Sequence, residues 1–305
     1  MFRFKELCSQ QGFTLSRLAA FMEVADAGGI AKAVGKDPVT QSKYSRQIGE
    51  LEDFFGTKLF AKHGKTMVLT GAGQELVRVA REALSGFADF RDSNMRKPVR
   101  FTIGGGITLL HGLIAPQLGV LLRHEPLVLF RLRNMKNREV ISGLQDMSLD
   151  FGLVKETSMP ANLIKRRLGE LHYGLYVPKI LVPKGIEATW AWVVENLPIA
   201  CQESEGEAIR ELSEKGSVRP KPPLSFSVES ETYIEIARVL STMSFAAILP
   251  CIMSTQMNQD DFIQVRSPIL QKFSLPVFLV WNQRTLRQRQ HAVVIKDKLL
   301  ELLKL

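Results

Sequence analysis

The chain has 305 residues, of which 45% are apolar, so it is long enough for two or three domains with ordinary cores. No run of about 18 apolar residues lacks charges or turn formers, and Arg3, Lys5 and Glu6 stand where a signal peptide needs an apolar core. We therefore expect a cytoplasmic protein with no membrane partner. The net charge of +9 favours an anionic partner but is spread along the whole chain, so it locates no binding face.

Three helices are predicted first. Apolar residues recur at helical spacing from Leu15, Gly28-Gly29 ends that helix, and a short Ala-rich helix covers residues 30–34. Pro38 breaks the chain, and Thr40 can cap a third helix. The apolar face of the third helix consists of Tyr44, Ile48, Leu51 and Phe55.

The opposite face of the third helix carries amide, hydroxyl and guanidinium groups near its N-terminus. Such groups hydrogen-bond base edges and phosphates in a DNA major groove, where Arg suits guanine and Gln suits adenine. A polar face turned to solvent has the same composition, so the pattern alone leaves both explanations open. The residues of this face are Gln41, Ser42, Ser45 and Arg46.

The ordered string around this helix resembles the DNA-binding signature of LysR-type transcriptional regulators, over about residues 15–90. The residues that carry the resemblance are Ala33, Val39-Thr40-Gln41-Ser42, Ser45-Arg46-Gln47-Ile48, Leu51-Glu52, Gly56, Leu59-Phe60, Leu69-Thr70 and Gly73. The resemblance implies a winged helix-turn-helix, with residues 41–48 in the major groove and residues 59–69 as the wing. The residues implied to contact double-stranded DNA are Gln41, Ser42, Lys43, Ser45 and Arg46 on the helix, with Lys62 and Lys65 on the wing.

Several positions depart from the family pattern, among them Ala31 and Asp37-Pro38. Two further departures have a direct physical consequence. Gly29 stands where the family usually has a serine that caps the second helix, so we expect that helix to be poorly capped. Lys62 replaces a frequent arginine. A guanidinium can form two hydrogen bonds to one phosphate, whereas the lysine ammonium acts only as a point charge.

A long helix capped by Thr70 is predicted next, with an apolar seam at spacings of four and three residues. A helix packed on its own core would look similar over so short a run. In the resembled family this linker helix pairs two subunits, which implies a homodimer or homotetramer that reads a pseudo-palindromic site. The seam residues are Leu76, Ala80, Ala83, Phe87 and Phe90.

Strands and helices alternate beyond residue 98, which predicts parallel sheets covered by helices. We predict strands at 99–104, 127–132, 150–154, 171–177, 199–202, 225–228, 246–249 and 277–281, and helices at 107–123, 138–146, 207–214, 232–242 and 291–304. The resemblance implies a two-lobed, periplasmic-binding-protein-like α/β effector domain. The predicted domains are 1–69 for DNA binding, 70–97 for the linker helix and hinge, and 98–305 for effector binding. Lobe 1 takes residues 98–172 and 276–305, and lobe 2 takes 173–275.

A ligand in an open α/β sheet binds beyond the carboxyl ends of the strands. The residues predicted there are Gly105, Gly106, Thr108, Asn134, Val154, Gln202 and Ser204. The triplet Gly104-Gly105-Gly106 lacks the spacing of a dinucleotide fingerprint, and a simple tight turn is its alternative explanation. The family default is a carboxylate effector, while the following Leu109-Leu110 leaves an apolar or aromatic effector open.

No catalytic constellation is apparent in the sequence. The five histidines lack metal-ligand spacing, and there is no Gly-x-Ser-x-Gly elbow or phosphate-binding loop. We therefore expect no enzyme activity, no metal and no cofactor. A solute-binding receptor without a DNA role is the alternative function, and a gel-shift assay separates the two. RNA polymerase is a further partner that the resemblance allows.

The three cysteines are too few and too widely spaced for a disulfide framework or a zinc site. They are Cys8, Cys201 and Cys251. Small buried cysteines are the commoner explanation, and a redox pair of Cys201 and Cys251 is the alternative.

Overall fold

The computed structural model describes residues 12–63, 66–94, 98–155, 157–202, 225–254, 257–289 and 291–305. The chain divides after residue 97 into two compact units, and the second holds residues 98–144 and 149–305. The first unit contains helices and a two-stranded hairpin, and the second is built on one mixed sheet. Both halves of the predicted fold class, a winged helix-turn-helix and a two-lobed α/β domain, are confirmed.

The N-terminal unit packs its helices around a small apolar core. Its elements are α1 (Leu15–Ala27), α2 (Ile30–Val34), α3 (Pro38–Phe55), β1 (Phe60–His63), β2 (Thr66–Leu69) and α4 (Gly71–Asn94). Phe21, Val24, Leu51 and Ala80 are completely buried in this core. Helices α1, α3 and α4 therefore each contribute to one cluster, which fixes the three helices against one another.

The start of α3 differs from the prediction. Asp37 is the N-cap, and its carboxylate accepts hydrogen bonds of 3.2 Å from the amides of Val39 and Thr40. Pro38 is the first helical residue, where its missing amide costs nothing because no helical acceptor exists for it. The prediction that Thr40 caps this helix is therefore wrong, because Thr40 already lies inside the first turn. Gly29 gives α2 no side-chain cap, as expected.

A buried carboxylate joins α3 to the wing. Glu52 is 8% exposed, and its Oε1 accepts hydrogen bonds from the amides of Leu59 at 2.9 Å and Phe60 at 3.3 Å. Its Oε2 accepts one from Lys58 Nζ at 2.6 Å. Burial opposes ionisation of this carboxyl, but the hydrogen bonds from Lys58, Leu59 and Phe60 outweigh it and hold the pKa of Glu52 below its usual value.

The other end of the wing is fixed by Thr70 and Gly73. Thr70 Oγ1 accepts from the Gly73 amide at 3.0 Å, which confirms the predicted cap of α4, and donates to the Lys58 carbonyl at 2.6 Å. A Cβ at Gly73 would lie 2.1 Å from the Leu59 carbonyl oxygen, so only glycine allows this close approach. The start of α4 is thereby tied to the start of the wing.

The second unit has a nine-stranded sheet with the order β4-β3-β5-β11-β6-β9-β7-β8, and β10 pairs with β6. The strands are β3 (Val99–Gly105), β4 (Val128–Asn134), β5 (Phe151–Val154), β6 (Leu163–Pro178), β7 (Ile199–Gln202), β8 (Phe226–Ser230), β9 (Ala246–Pro250), β10 (Phe262–Val265) and β11 (Ser274–Asn282). The helices are α5 (Ile107–Leu109), α6 (Leu118–His124), α7 (Asn137–Gln145), α8 (Trp190–Asn196), α9 (Tyr233–Leu240), α10 (Cys251–Ser254), α11 (Pro268–Lys272), α12 (Gln283–Gln288) and α13 (Ala292–Leu302). The parallel strands β3, β4 and β5 belong to lobe 1, and the parallel strands β7, β8 and β9 to lobe 2.

Two predicted elements are corrected. The strand predicted at 171–177 is the second half of β6, which begins at Leu163 and runs through both lobes. The helix predicted at 107–123 is interrupted after α5 by a π-helical turn (Leu110–Ile114) and a 3₁₀ turn (Ala115–Gln117). Pro116 lies in the second turn and has no amide to continue the helical hydrogen bonds, which accounts for the interruption. The helix predicted at 207–214 lies outside the described residues.

A second buried carboxylate organises lobe 1. Asp150 is 5% exposed and accepts from the Thr102 amide at 2.7 Å and from Arg289 Nη1 at 2.5 Å. Arg289 also donates to the Arg100 carbonyl at 2.7 Å and lies 4.8 Å from the centroid of the Phe101 ring. The segment before α13 is thereby attached to β3 and to the start of β5.

Replacing Glu52 with Gln should destabilise the first unit. The glutamine amide cannot ionise, and it offers one acceptor oxygen where the carboxylate offered two, so its NH₂ group must face either Lys58 or the two backbone amides, which are donors themselves. We expect a loss of about 1 to 3 kcal/mol in the free energy of unfolding.

The stability that Glu52 contributes in the wild type should depend on pH. It is present above the ordinary pKa of 4.5 and is lost as the pH falls through the lower pKa of the folded protein. Thermal unfolding followed between pH 3 and about 7 should show wild type and variant converging at the acid end. Glu75→Gln, at an exposed carboxylate on α4, is the control and should change little. Equal melting temperatures of Glu52→Gln and wild type at neutral pH would contradict this account.

Candidate DNA-binding face and effector cleft

The face of α3 opposite the core is open to solvent. Ser42, Lys43 and Ser45 are exposed, and the Arg46 side chain is 76% exposed with its Nε 3.8 Å from Glu50 Oε1. Behind this face, Ile48 and Leu51 are buried in the core of the unit. The helix therefore presents hydroxyl and guanidinium groups outward on a rigidly held element, which is the arrangement needed to enter a groove.

Gln41 is less available than the other members of this face. It is half-buried, and its Nε2 donates to the carbonyl of Gly35, in the turn before α3. The amide oxygen and the second hydrogen of Nε2 are left for recognition of adenine, while the bond to Gly35 restricts how the side chain can turn toward a base.

The wing is a regular antiparallel hairpin in which Phe60 pairs with Leu69 and His63 pairs with Thr66. Lys62 belongs to β1 and pairs with Met67 through its backbone, while its side chain is outside the described part of the chain. Lys65 is also outside the described residues. Their predicted contacts with the DNA backbone or minor groove therefore stay predictions.

The predicted seam on α4 divides into a buried part and an exposed part. Ala80 is completely buried in the core of its own unit, so its side chain is not available to a second chain, and Leu76 is half-buried. Ala83, Phe87 and Phe90 are exposed, the two rings at 63% and 72%. Most of the exposed apolar surface of the seam thus lies in its C-terminal part, because the first turns of α4 pack on α1.

An apolar groove extends this surface and was not predicted from the sequence. It has a volume of about 460 Å³ and lies between the start of α1, the end of α3 and the first half of α4. Phe13, Phe55, Leu76 and Val79 are among its lining residues. Val79, next to Ala80, is 48% exposed. It lies outside the positions that a strict heptad seam predicts to be apolar.

The register of the sheet in the second unit defines a cleft. Val154, at the carboxyl end of β5, pairs with Phe278 of β11, which pairs with Arg167 of β6. Pro250, at the carboxyl end of β9, pairs with Tyr173 of β6 from the opposite direction. The carboxyl ends of the parallel strands of both lobes therefore point toward each other across six residues of β6, a span of about 20 Å.

Lobe 1 presents a polar wall to this cleft. Gly105 pairs with Asn134, and the Asn134 side chain is exposed. A Cβ at Gly106 would meet nothing within 4 Å, and Thr108 is half-buried in the turn that follows. Gly105 is buried, and because it has no side chain, Leu110 and Leu153 can pack close to its backbone. The side chain of Val154 is completely buried in the lobe 1 core, because β5 is covered on both faces. Its predicted contact with an effector stays a prediction, and only the backbone at the strand end is left to make it.

Lobe 2 brings fewer of the predicted residues to the cleft. Gln202 ends β7, and its Nε2 donates to the Glu231 carbonyl at 2.8 Å. Its amide oxygen is the group left to accept from a ligand. Ser204 lies outside the described residues, so its place in the cleft stays a prediction.

A direct contact between the lobes was missed by the sequence reasoning. Helix α10 follows β9 and lies against the π-helical turn of lobe 1, where a Cβ at Gly112 would be 2.8 Å from Ile252 Cδ1. Gly112 therefore allows the two lobes to touch at this point. In the sequence, Pro250 indicates that a strand ends there and that another element follows. Nothing in the sequence indicates which helix of lobe 1 that element contacts.

The cysteines do not have the character of a reactive pair. Cys201 is completely buried, and burial, with a smaller effect of Glu229, raises the pKa of its thiol to about 12. A thiol with so high a pKa is poorly nucleophilic at neutral pH. Cys251 is half-buried. Both cysteines are reduced in the structure, and Cys8 lies outside the described residues.

Within the described ranges, no three His, Cys, Asp or Glu side chains are grouped so that they could hold a metal ion. None of the helices in this part of the chain is long and apolar enough to cross a membrane.

Comparison with known proteins supplies the family. Residues 15–74 match the family described as bacterial regulatory helix-turn-helix protein, lysR family, and residues 99–296 match the LysR substrate binding domain. A curated relative, the uncharacterized HTH-type transcriptional regulator YnfL of Escherichia coli (strain K12), is 29% identical over 154 residues, 49% of this chain and 52% of the relative. The chain thus spans about half the length of the curated relatives that it matches.

Solved structures share the fold over nearly the whole chain. Full-length LysG from Corynebacterium glutamicum with bound effector Arg has a TM-score of 0.63 at 14% identity, covering 95% of this chain and 98% of LysG. CbnR in complex with its target DNA has a TM-score of 0.57 at 16% identity, covering 95% of this chain and 99% of CbnR. Since the two domain matches together cover most of the chain, it belongs to the LysR family of bacterial regulators.

Proposed function

We propose that the protein is a sequence-specific transcription regulator that binds double-stranded DNA through α3 and responds to a small molecule bound between the two lobes. The observation that carries the proposal is the exposed face of Ser42, Ser45 and Arg46 on a helix whose other side is buried. The similar protein CbnR was solved with its target DNA, which supports this role for α3. A regulator of this kind acts in the cytoplasm, where the DNA is.

The DNA-binding unit favours this function over a solute-binding receptor, which has no use for a helix-turn-helix. Membership of a family of regulators also supports a binding protein rather than an enzyme. LysG was solved with bound arginine, which supports an effector site in the corresponding domain. RNA polymerase remains a further proposed partner.

The effector proposed for the cleft is a carboxylate or an aromatic compound. Asn134 and Thr108 offer hydrogen bonds, and Lys155, half-buried just after β5, offers a positive charge. Leu109 and Leu110 lie directly after the open turn and are buried in the lobe 1 core. A ligand that meets both lobes can change DNA binding only through a difference in its affinity for two lobe arrangements.

We also propose that two copies associate through α4. Phe87 and Phe90 are large apolar side chains on the exposed side of a 24-residue helix, and the apolar groove beside Val79 continues the same surface. Two recognition helices related by a twofold axis would read half-sites about one turn of DNA apart.

Arg46→Ala should weaken specific DNA binding by about 1 to 3 kcal/mol, the value of one good base contact. The fold should be unchanged, because the contact with Glu50 is a surface ion pair. Fluorescence anisotropy with the operator fragment measures the loss, and circular dichroism melting measures stability. Arg238→Ala, which removes an equal charge from an exposed site on α9, should leave affinity unchanged after correction for salt. Operator binding as tight as that of wild type would remove Arg46 from the recognition surface.

Phe87→Glu should separate the subunits, because a carboxylate buried between two apolar helices has no partner and costs several kcal/mol. Sedimentation velocity should show a smaller species with unchanged circular dichroism. Val293→Glu is the matched control, since Val293 is 48% exposed on α13. If Phe87→Glu sediments like wild type, α4 does not hold the subunits together.

Gly106→Leu should abolish effector binding and preserve the fold. The backbone of Gly106 has φ −63° and ψ 146°, which any residue adopts, and its Cβ would enter open space in the cleft. Thr108→Val keeps the shape and should remove one hydrogen bond of about 1 kcal/mol. Thermal shift with a panel of aromatic and aliphatic carboxylates compares both variants with wild type. A compound that stabilises Gly106→Leu as strongly as wild type binds somewhere other than this cleft.

A further inference from the structure

A cavity in lobe 2 is separate from the cleft between the lobes. It has a volume of about 200 Å³ and is lined by residues of β6, β10 and α10 and by two residues that precede β10. The lining residues are Tyr176, Ser254, Met257, Gln259, Phe262 and Gln264. No residue of lobe 1 and none of the predicted effector contacts is among these described lining residues.

Tyr176 places an unsatisfied hydroxyl at this cavity. The residue is 4% exposed, and within the described chain its hydroxyl oxygen makes no hydrogen bond of normal geometry. The Ser254 hydroxyl and the Cys251 thiol interact with it, although neither reaches it in normal hydrogen-bond geometry. Burial is the largest cause that raises the pKa of the Tyr176 hydroxyl. Buried hydroxyls are nearly always paired, because leaving one unpaired costs more than a hydrogen bond returns. A group that enters the cavity can supply the missing partner.

The neighbouring polar groups are held in place. Ser254 Oγ donates to the Cys251 carbonyl at 2.8 Å, which leaves its lone pairs as acceptors. Gln264 pairs with Tyr176 across the two strands, and its Nε2 lies 3.7 Å from Cys251 Sγ. Each partner is fixed by a strand or by a hydrogen bond within α10, so the polar wall of the cavity is formed before any ligand arrives.

The lining determines the chemistry of the occupant. Hydroxyl and amide groups offer both donors and acceptors, Phe262 and Met257 add apolar contacts, and no charged side chain is among the six. An apolar cavity of about 150 Å³ holds benzene, so about 200 Å³ suits one ring with a small substituent. We propose that lobe 2 carries a second binding pocket, for an uncharged single-ring compound bearing an amide or hydroxyl group that pairs with Tyr176.

Helix α10 connects this pocket to the arrangement of the lobes. Ser254 lines the pocket, and Ile252, two residues earlier, occupies the contact with Gly112 of lobe 1. A ligand that displaces or braces α10 therefore changes the inter-lobe contact. This regulatory consequence rests on the proposed function, whereas binding to the pocket does not.

The test uses the full-length protein and four neutral probes: benzamide, nicotinamide, phenol and uracil. Benzoate is the charged counterpart of benzamide. Calorimetric titration should find at least one neutral probe that binds and should find benzoate weaker. Tyr176→Phe keeps the ring and should weaken that probe about tenfold, the value of one well-placed hydrogen bond to a buried group. Tyr233→Phe, at a buried tyrosine of lobe 2 outside the pocket lining, should not change it.

Two further readouts do not depend on DNA binding. In a Cys8→Ser background, the bound probe should slow alkylation of Cys251 and leave Cys201, which is completely buried, unreactive throughout. Ser254→Leu fills the pocket and should abolish both binding and protection. The proposal is overturned if no neutral probe binds at millimolar concentration, if Tyr176→Phe and Tyr233→Phe bind the probe equally, or if Ser254→Leu still binds it. The first result would mean that the cavity holds only water, and the other two would mean that the probe binds elsewhere in the protein.

Discussion

The long strand β6 is the constraint on which the second unit depends. It runs through both lobes, pairing with β11 beside lobe 1 and with β9 in lobe 2, so the parallel strands of the two lobes are built on one strand in opposite directions. Their carboxyl ends must then face one another. The open turn at Gly106, the exposed amide of Asn134 and the end of β7 share one cleft for this reason, although they are distant in sequence.

The two lobes also contact each other directly, beside the strands that connect them. The contact between Gly112 and Ile252 joins a turn of lobe 1 to a short helix of lobe 2. The turn is π-helical, a geometry that commonly marks functional positions in helices. A ligand in the cleft and a ligand in the pocket beside Tyr176 would both act on this contact, one from between the lobes and the other through α10.

In the N-terminal unit, two sets of side-chain hydrogen bonds hold the wing to α3 and α4. Glu52 receives the amides of Leu59 and Phe60, and Thr70 bonds to the carbonyl of Lys58 at the other end of the hairpin. The wing is short and has only two strands, which are marginal without such support. Glu52 therefore fixes the distance between the wing and α3, the helix proposed to bind DNA.

The sequence by itself determined the family, the order of the domains and the exposed face of α3, because these depend on local spacing and capping patterns. It did not determine which side of α4 would be buried: Ala80 and Phe87 occupy equivalent seam positions, yet packing on α1 covers only the first. It also placed Val154 at the cleft, since a strand end is local information, whereas its burial depends on α7 and β11. The cavity at Tyr176, which draws on separate strands, a helix and a loop, and the approach of Ile252 to Gly112 were decided by tertiary structure alone, because only the crossing strands bring those residues together.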